Sequence, residues 1–426
     1  MTGRYSGDQP MNLVVQKYGG TSLGDAGKIS RAARRIAAEH RSVVAVVSAM
    51  GGTTDSILSL ARDLTETPDA RELDLLLSTG EQASAAALAL ALNELGVPAR
   101  SFNGRDGGIT TDGMHGCARI VNVDPVAVRE CVEAGVVPVV TGFQGIAVDS
   151  GELTTLCRGG SDTTAVALAA ALQAEVCEIY TDVEGVFTAD PRHVDEARKM
   201  DYLSYGDMAE LAVSGAEVLA HPSVEYASAH RVPVHVRSSA SETCGTWVTS
   251  AHLDAPFESE RFTAVGVAHQ TGQLRCRLDE VDPDALTTIA GALADPTLSV
   301  DVLNYPTGEV PTTPCSLRFI AHEDHRDQVD EVLAELHGAR AFTASHWSGP
   351  MGTVSLVGRG FRAHHPRVRP LVLDILKTNR VAVRDMTVHA RRISVTCAEH
   401  DVLDAVTHLH RTFLTPAWPI HPAPAG

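Results

Sequence analysis

The sequence predicts an α/β fold, a mostly parallel sheet between helices, followed by a smaller α+β region used twice. Three observations carry this. Ser42–Ser48 (SVVAVVS), Val136–Thr141 (VVPVVT) and Glu175–Thr181 (EVCEIYT) are near-continuous apolar runs, the pattern of strands buried on both faces. Strand, Gly-rich loop and helix recur in that order along the first 250 residues, as in α/β folds. Beyond about residue 250 the texture changes to short strands alternating with amphipathic helices.

Each element has a local reason. Asn12–Tyr18 is strand-like and ends in the glycine turn GGTSLGD. Ala26–His40 has helical spacing with an Arg-rich outer face, and SVVAVVS then runs into the loop AMGGTTD. A helix is predicted from about Glu81 to Leu95, then a strand near Pro98–Phe102. VVPVVT ends in GFQGI, and TTLCRGGSDTT leads straight into the small-residue helix TAVALAAALQAEV. In the second region, strands are predicted near Phe262–Ala268, Gln273–Leu278, Ser316–Ala321, Gly352–Val357 and Arg392–Thr396. Helices are predicted near Pro283–Leu293, His325–Leu336, Val368–Thr378 and Asp401–Phe413. Residues 1–10 read as a flexible N-terminus and the Pro-rich 416–426 as a disordered tail.

Composition narrows the function. The 426 residues suffice for two or three domains, with 44% hydrophobic and 21% charged residues. A net charge of −18 argues against nucleic acid or an anionic membrane as the main partner, although local cations can still hold a small acidic substrate. No apolar run reads as a membrane span, and the polar start MTGRYSGDQP lacks a signal-peptide core, so a cytoplasmic protein is expected. Eight scattered cysteines without a CxxC pair predict reduced thiols rather than a disulfide frame or a zinc site, and no metal ligands are assigned.

The densest chemistry lies in Arg158-Gly159-Gly160-Ser161-Asp162 at the head of a helix. Glycines let backbone N–H groups approach a ligand, a helix N-terminus favours anions, and arginine forks onto a carboxylate. The alternative is an ordinary glycine turn capped by Ser161 or Asp162. Lys17, at a strand end before Gly19 and Gly20, can place an ammonium on a transferring phosphate, or can be a snorkelling lysine. Ser48 and Thr53 flank the second loop, which alone could be a simple turn. Glu81 reads as a helix-start acid that either caps the helix or binds a substrate ammonium. Thr181-Asp182 and Asp190-Pro191-Arg192 flank a turn, and Asp182 and Arg192 could touch a nucleotide.

Taken together, VVQKYGGTSLGD, VVSAMGGTTD, LLSTGEQ, GFQGI, TTLCRGGSDTTAVALAAAL and EIYTDVEGVFTADPR resemble the aspartate kinases of the amino-acid kinase superfamily over about residues 12–250. The resemblance implies an amino-acid-kinase fold over 11–250 and paired ACT-like regulatory or dimerisation domains over 251–415. It implies transfer of the ATP γ-phosphoryl group, with Mg²⁺, to the β-carboxylate of L-aspartate. By similarity, Lys17 meets the transferring phosphate, with Gly19 and Gly20 at the nucleotide's phosphate end, and Asp162 orients Lys17. Arg158, followed by Gly159, Gly160 and Ser161, takes the substrate α-carboxylate. Glu81 takes the ammonium, and Ser48 and Thr53 lie near the reacting end. Thr181, Asp182, Phe187 and Arg192 line the nucleotide side. A cytoplasmic homodimer joined through the ACT-like domains is implied.

Several positions depart from the family's usual pattern. Cys157 stands where glycine is common, Tyr18 where phenylalanine is, and Glu184 where aspartate is. Glu217, in SGAEVLAHP, stands where a lysine usually helps neutralise the nucleotide phosphates. The stretches CRLDEVDPDALTTIAGAL and VGRGFRAHHPRV lack the family's effector turns, which implies weak or absent lysine and threonine feedback. A kinase of an aspartate analogue and a non-catalytic aspartokinase-like subunit are the alternative readings.

Overall fold

The computed structural model describes residues 12–250, 262–295, 298, 300–304 and 315–414. The predicted flexible N-terminus and Pro-rich tail lie outside the described residues. The chain divides into two compact units. Among described residues the first holds 12–186, 199–212 and 217–250, and the second holds 187–198, 213–216 and the described part of 262–414.

The first unit contains, in order, β1 (Leu13–Tyr18), α1 (Ala26–Ala37), β2 (Ser42–Val47), α2 (Thr53–Leu64), α3 (Ala70–Glu94), β3 (Ala99–Phe102), β4 (Ile109–Thr111), β5 (Ile120–Val123), α4 (Val126–Glu133), β6 (Val137–Thr141), β7 (Gln144–Ala147), β8 (Leu153–Thr155), α5 (Gly160–Leu172), β9 (Val176–Thr181), β10 (Tyr202–Leu203), α6 (Tyr205–Val213), α7 (His221–His230), β11 (Val234–Ser238) and β12 (Thr246–Val248). Eight strands form one sheet in the order β10-β12-β11-β9-β1-β2-β6-β3. Its centre is parallel: β1 pairs with β2 and with β9 in matched register, Lys17 opposite both Val46 and Ile179. Parallel, in-register strands deliver their carboxyl ends to one edge, so the loops after β1, β2, β6 and β9 collect there. The predicted apolar runs are these strands, and Val44, Val46, Val139 and Val140 are fully buried.

Alternation along β1 sorts its side chains. Val14 and Tyr18 join the core under α1 and α3, with Leu88 and Leu92. Lys17 points to the opposite face, where α5 lies. A second sheet, β5-β4-β7-β8, is a small mixed one.

The helix predicted at Glu81–Leu95 starts earlier, at Ala70, with the Asp69 side chain accepting from the Glu72 N–H as its cap. At 25 residues it is long and apolar enough to cross a bilayer by length and composition, and half of that stretch is buried inside the protein.

The second unit contains β13 (Thr263–Val281), α8 (Leu286–Leu293), β14 (Asp301–Asn304), β15 (Cys315–His322), α9 (Arg326–Gly338), β16 (Ala344–Arg359), α10 (Phe361–Thr378), β17 (Asp385–Val388), β18 (Arg392–Ala398) and α11 (Val402–Leu414). This is βαββα twice. The sheet order β14-β15-β13-β16-β18-β17 joins the repeats through their first strands. The two strands predicted over 262–278 are therefore one long strand. Each repeat has its own core: Leu278, Ile289, Phe319, Val329 and Leu333 in the first, Leu356, Phe361, Leu376, Val395 and Leu409 in the second.

The boundary read from sequence near residue 250 is interrupted. Phe187–Arg198 belongs to the second unit because Ala189 and Val194 are buried in the core of its second repeat. Thr188 fixes the strap: its carbonyl accepts from the Val267 N–H at 2.8 Å, and its hydroxyl shares a hydrogen bond with His410 Nε2 at 2.9 Å.

Candidate active site

The carboxyl edge of the large sheet gathers most of the residues singled out above. Lys17 is the last but one residue of β1, and its Nζ lies 2.6 Å from Asp162 Oδ1 in the first turn of α5. Both side chains are close to buried, 13% and 9% exposed, so this ion pair sits largely out of bulk water. Asp162 Oδ2 also accepts from the Ala220 N–H at 3.4 Å, which fixes the carboxylate from behind. One cation is thereby held at the head of a helix whose backbone dipole also attracts anions.

Close approach explains the glycines. A Cβ on Gly20 would lie 2.6 Å from the Ala49 carbonyl oxygen, and the Gly20 carbonyl accepts from the Gly51 N–H at 3.0 Å. The loops after β1 and β2 can meet only because Gly20 has no side chain. Gly159 has φ +75° and would drive a Cβ into Ala220 at 2.1 Å. It needs both the left-handed conformation and the space. The Gly19 N–H is occupied by the Tyr180 carbonyl at 3.1 Å, which ties the loop after β1 to β9.

Glu81 is not at a helix start. It lies in the middle of α3, and the helix-capping reading falls with that. The preceding Gly80 lets the helix press on the loop after β2, since a Cβ there would meet Ala49 Cβ at 2.8 Å. Glu81 is 4% exposed. Its Oε1 accepts from the Ala49 N–H at 2.9 Å, while Oε2 is buried without a partner among the described residues. Desolvation outweighs the Ala49 hydrogen bond and pushes the carboxyl pKa up to about 7. A buried carboxylate oxygen with a free lone pair fits an ammonium.

Ser48 follows β2 and is half-buried; Thr53 opens α2 behind Gly52, whose φ is +78°. Ser161 is buried against Gly142, where a Cβ would lie 2.6 Å from its Oγ. Arg158 is exposed and has no ion-pair partner among the described residues. Thr181 ends β9 and donates to Asp182 Oδ1 at 3.1 Å, and Asp182 is exposed.

Phe187 and Arg192 belong to the second unit, where Arg192 forks onto Asp190, with Nη2–Oδ2 at 2.7 Å. Tyr18 is fully buried, stacks on Tyr180 at 4.9 Å and donates to Gln16 Oε1. Glu217 is exposed in the turn before Ala220.

Sequence reasoning missed three contributors: the Ala49 N–H that holds Glu81, Gly142 under Ser161, and Ala220 against Gly159 and Asp162. GFQGI and LAHP were visible as loops, but nothing local says what such loops touch. The prediction of reduced thiols also fails at one place. Cys117 and Cys157 are disulfide-bonded, their Cα atoms 4.2 Å apart; the other six cysteines are free. Forty residues separate the two, and only the fold brings them together.

A parallel sheet with a lysine–aspartate pair and a glycine-lined helix head at its carboxyl edge can hold a phosphoryl group. The amino acid kinase family model matches residues 12–238, and the chain belongs to that family. Within it, the chain is similar over 95% of its length to aspartokinases. It is 42% identical to the aspartokinase of Mycobacterium tuberculosis over 408 residues, 95% of this chain and 96% of the relative. It is 41% identical to that of Corynebacterium glutamicum, with the same coverage. An aspartate kinase structure from Synechocystis is 32% identical, with a TM-score of 0.51 over 97% of this chain and 71% of that one. E. coli aspartokinase III, solved with aspartate and ADP, shares the fold at a TM-score of 0.75 and 24% identity, covering 94% of this chain and 99% of its own.

Proposed function

We infer that the protein is an aspartate kinase, transferring the ATP γ-phosphoryl group to the β-carboxylate of L-aspartate and yielding 4-phospho-L-aspartate and ADP. Membership among the aspartokinases supports this, and the observation that carries it is the Lys17–Asp162 pair at the head of α5. The analogue-kinase and non-catalytic readings are not favoured. A carboxylate is already an ionised nucleophile at neutral pH, so the site needs no general base; it must bring two anions together. Lys17 neutralises charge on the phosphoryl group in flight, and Asp162 holds the ammonium in place. Arg158 takes the α-carboxylate, Glu81 the α-ammonium, and Ser48 and Thr53 the reacting end. Gly19, Gly20 and the head of α5 supply close-approach backbone for the phosphates. Thr181 and Asp182 serve the nucleotide side. Mg²⁺ would accompany ATP and would supply shielding of the phosphate charge. The test is ADP release with Mg-ATP, with and without L-aspartate, and with hydroxylamine to trap the acyl phosphate. ADP release that does not depend on aspartate, or that yields no hydroxamate, would sink the reading.

The Glu81 assignment predicts a pH dependence. A raised carboxyl pKa means that the folded state prefers the neutral acid. Glu81 therefore favours folding most below the unfolded value near 4.5, and that contribution is lost as pH rises through about 7. Binding an ammonium needs the ionised form, so kcat/KM for aspartate will rise with pH through about 7. Glu81→Gln will flatten that rise and make unfolding less sensitive to pH over the same window. A pH profile unchanged by the substitution excludes Glu81 as the titrating group.

Glu217 places a carboxylate where relatives usually carry a lysine, in the turn leading to Ala220, whose N–H contacts Asp162. Glu217→Lys is expected to lower the KM for ATP by roughly twofold to fivefold, the scale of one exposed charge interaction reversed in sign. An unchanged KM for ATP places Glu217 outside the nucleotide's field.

The two fused βαββα repeats support an ACT-like pair that joins a cytoplasmic homodimer. Because the effector turns read from sequence are absent, lysine plus threonine should leave the rate within about twofold, the scale of a coupling well under 1 kcal/mol. Strong cooperative inhibition in the same assay would overturn this.

A further inference from the structure

The Cys117–Cys157 bond ends one residue short of Arg158. The two sides of this bond are held very differently. Cys117 is buried, and its neighbours are clamped by Asp74, a fully buried carboxylate on α3. Asp74 Oδ2 lies 2.6 Å from His115 Nδ1, Asp74 accepts from the Gly116 N–H at 3.1 Å, and it also takes the Thr155 hydroxyl. The Ala118 N–H donates to the Thr155 carbonyl at 2.9 Å, and Leu156 donates to Phe143. The clamp stops at Leu156. Beyond it Cys157 is half-buried, Arg158 and Gly159 are exposed, and Gly159 is in the left-handed region. The disulfide is the last side-chain cross-link before Arg158, and the Cys157 carbonyl also accepts from the Gly160 N–H at 2.9 Å.

We propose that Cys117 and Cys157 form a thiol–disulfide switch that sets how tightly the Arg158 arm holds the carboxyl substrate. The proposal rests on the reading of Arg158 as the α-carboxylate ligand. In the disulfide form Arg158 is pre-positioned, and little ordering is left for binding to supply. The reductant is a dithiol, either a small molecule or a thioredoxin-class protein. Its thiolate attacks the Sγ of Cys157, the less buried of the two residues, and Cys117 leaves as a thiolate that takes up a proton. The reductant's second thiol then attacks the mixed disulfide and releases Cys157 as a thiol. Two electrons and two protons pass from the dithiol, which ends as its own disulfide. Disulfides in reducing compartments are mostly transient and catalytic or redox-sensing.

The test uses the full-length enzyme in both forms, checked by thiol count under denaturing conditions: six in the oxidised protein and eight after dithiothreitol. Steady-state ADP release then gives KM for aspartate, KM for ATP and kcat in each form. Reduction is expected to raise KM for aspartate about fivefold or more and to leave KM for ATP within twofold, a difference carried by ordering one short segment. Cys157→Ser should show the reduced-form KM with or without dithiothreitol, and Cys244→Ser, which removes an exposed free thiol, should respond as wild type. A KM for aspartate that falls or stays within twofold on full reduction overturns the switch, as does a thiol count of eight before reduction. Loss of a folded thermal transition on reduction, or equal losses in both KM values, also overturns it in favour of a purely structural bond. Arg158→Gln in the oxidised enzyme separates the two readings. If it leaves KM for aspartate unchanged, the Arg158 assignment has failed; if it raises KM while reduction does nothing, only the switch has failed.

Discussion

Lys17→Met is expected to lower kcat by roughly two to three orders of magnitude, the range for removing one key electrostatic donor from a preorganised site. The reason is its position. The ammonium is held 2.6 Å from Asp162 in a pair that is nearly buried, so its charge is little screened by water. The same burial means that the single substitution strands a carboxylate, a change that costs about 3–5 kcal/mol where burial is complete and less here. The loss of rate must therefore be separated from a loss of fold. Lys17→Met/Asp162→Asn removes both charges, and its melting temperature should return most of the way to wild type while kcat stays low. If the double variant recovers activity along with stability, Lys17 is a structural partner of Asp162 and the phosphate role is wrong.

Arg158→Gln should raise KM for aspartate by roughly 10- to 100-fold, the worth of one or two charge-assisted hydrogen bonds. Little stability should change, because Arg158 is exposed and without an ion-pair partner among the described residues. Arg158→Lys should recover only part of the affinity, since an ammonium cannot fork onto a planar carboxylate. A rise in KM for ATP with aspartate unaffected would move Arg158 to the nucleotide side.

The two predictions rest on signals of different kinds. Lys17 was legible because a lysine at a strand end before two glycines is a local pattern. Asp162 was legible because it opens a helix rich in small residues. Glu81 was legible as a residue but not as a place: the helix begins at Ala70, and only then does Glu81 fall mid-helix under Ala49. The start signal was present: Asp69, followed three residues later by Glu72 and then by an apolar run, has capping-box spacing. The small sheet β5-β4-β7-β8 was invisible, because strands of three or four residues leave too little pattern to read.

The sequence by itself determined the α/β class, the buried strands and their succession along the chain, the glycine loops at their ends and the repeated α+β region. These depend on burial period and turn chemistry, which are written within a dozen residues. Only the tertiary structure decided which groups share a site. It set Lys17 against Asp162, closed Cys117 onto Cys157, and drew Phe187–Arg198 into the second unit's core. Such pairings join residues separated by tens to hundreds of positions. Strand register and helix packing select them, and no local pattern of residues encodes either one.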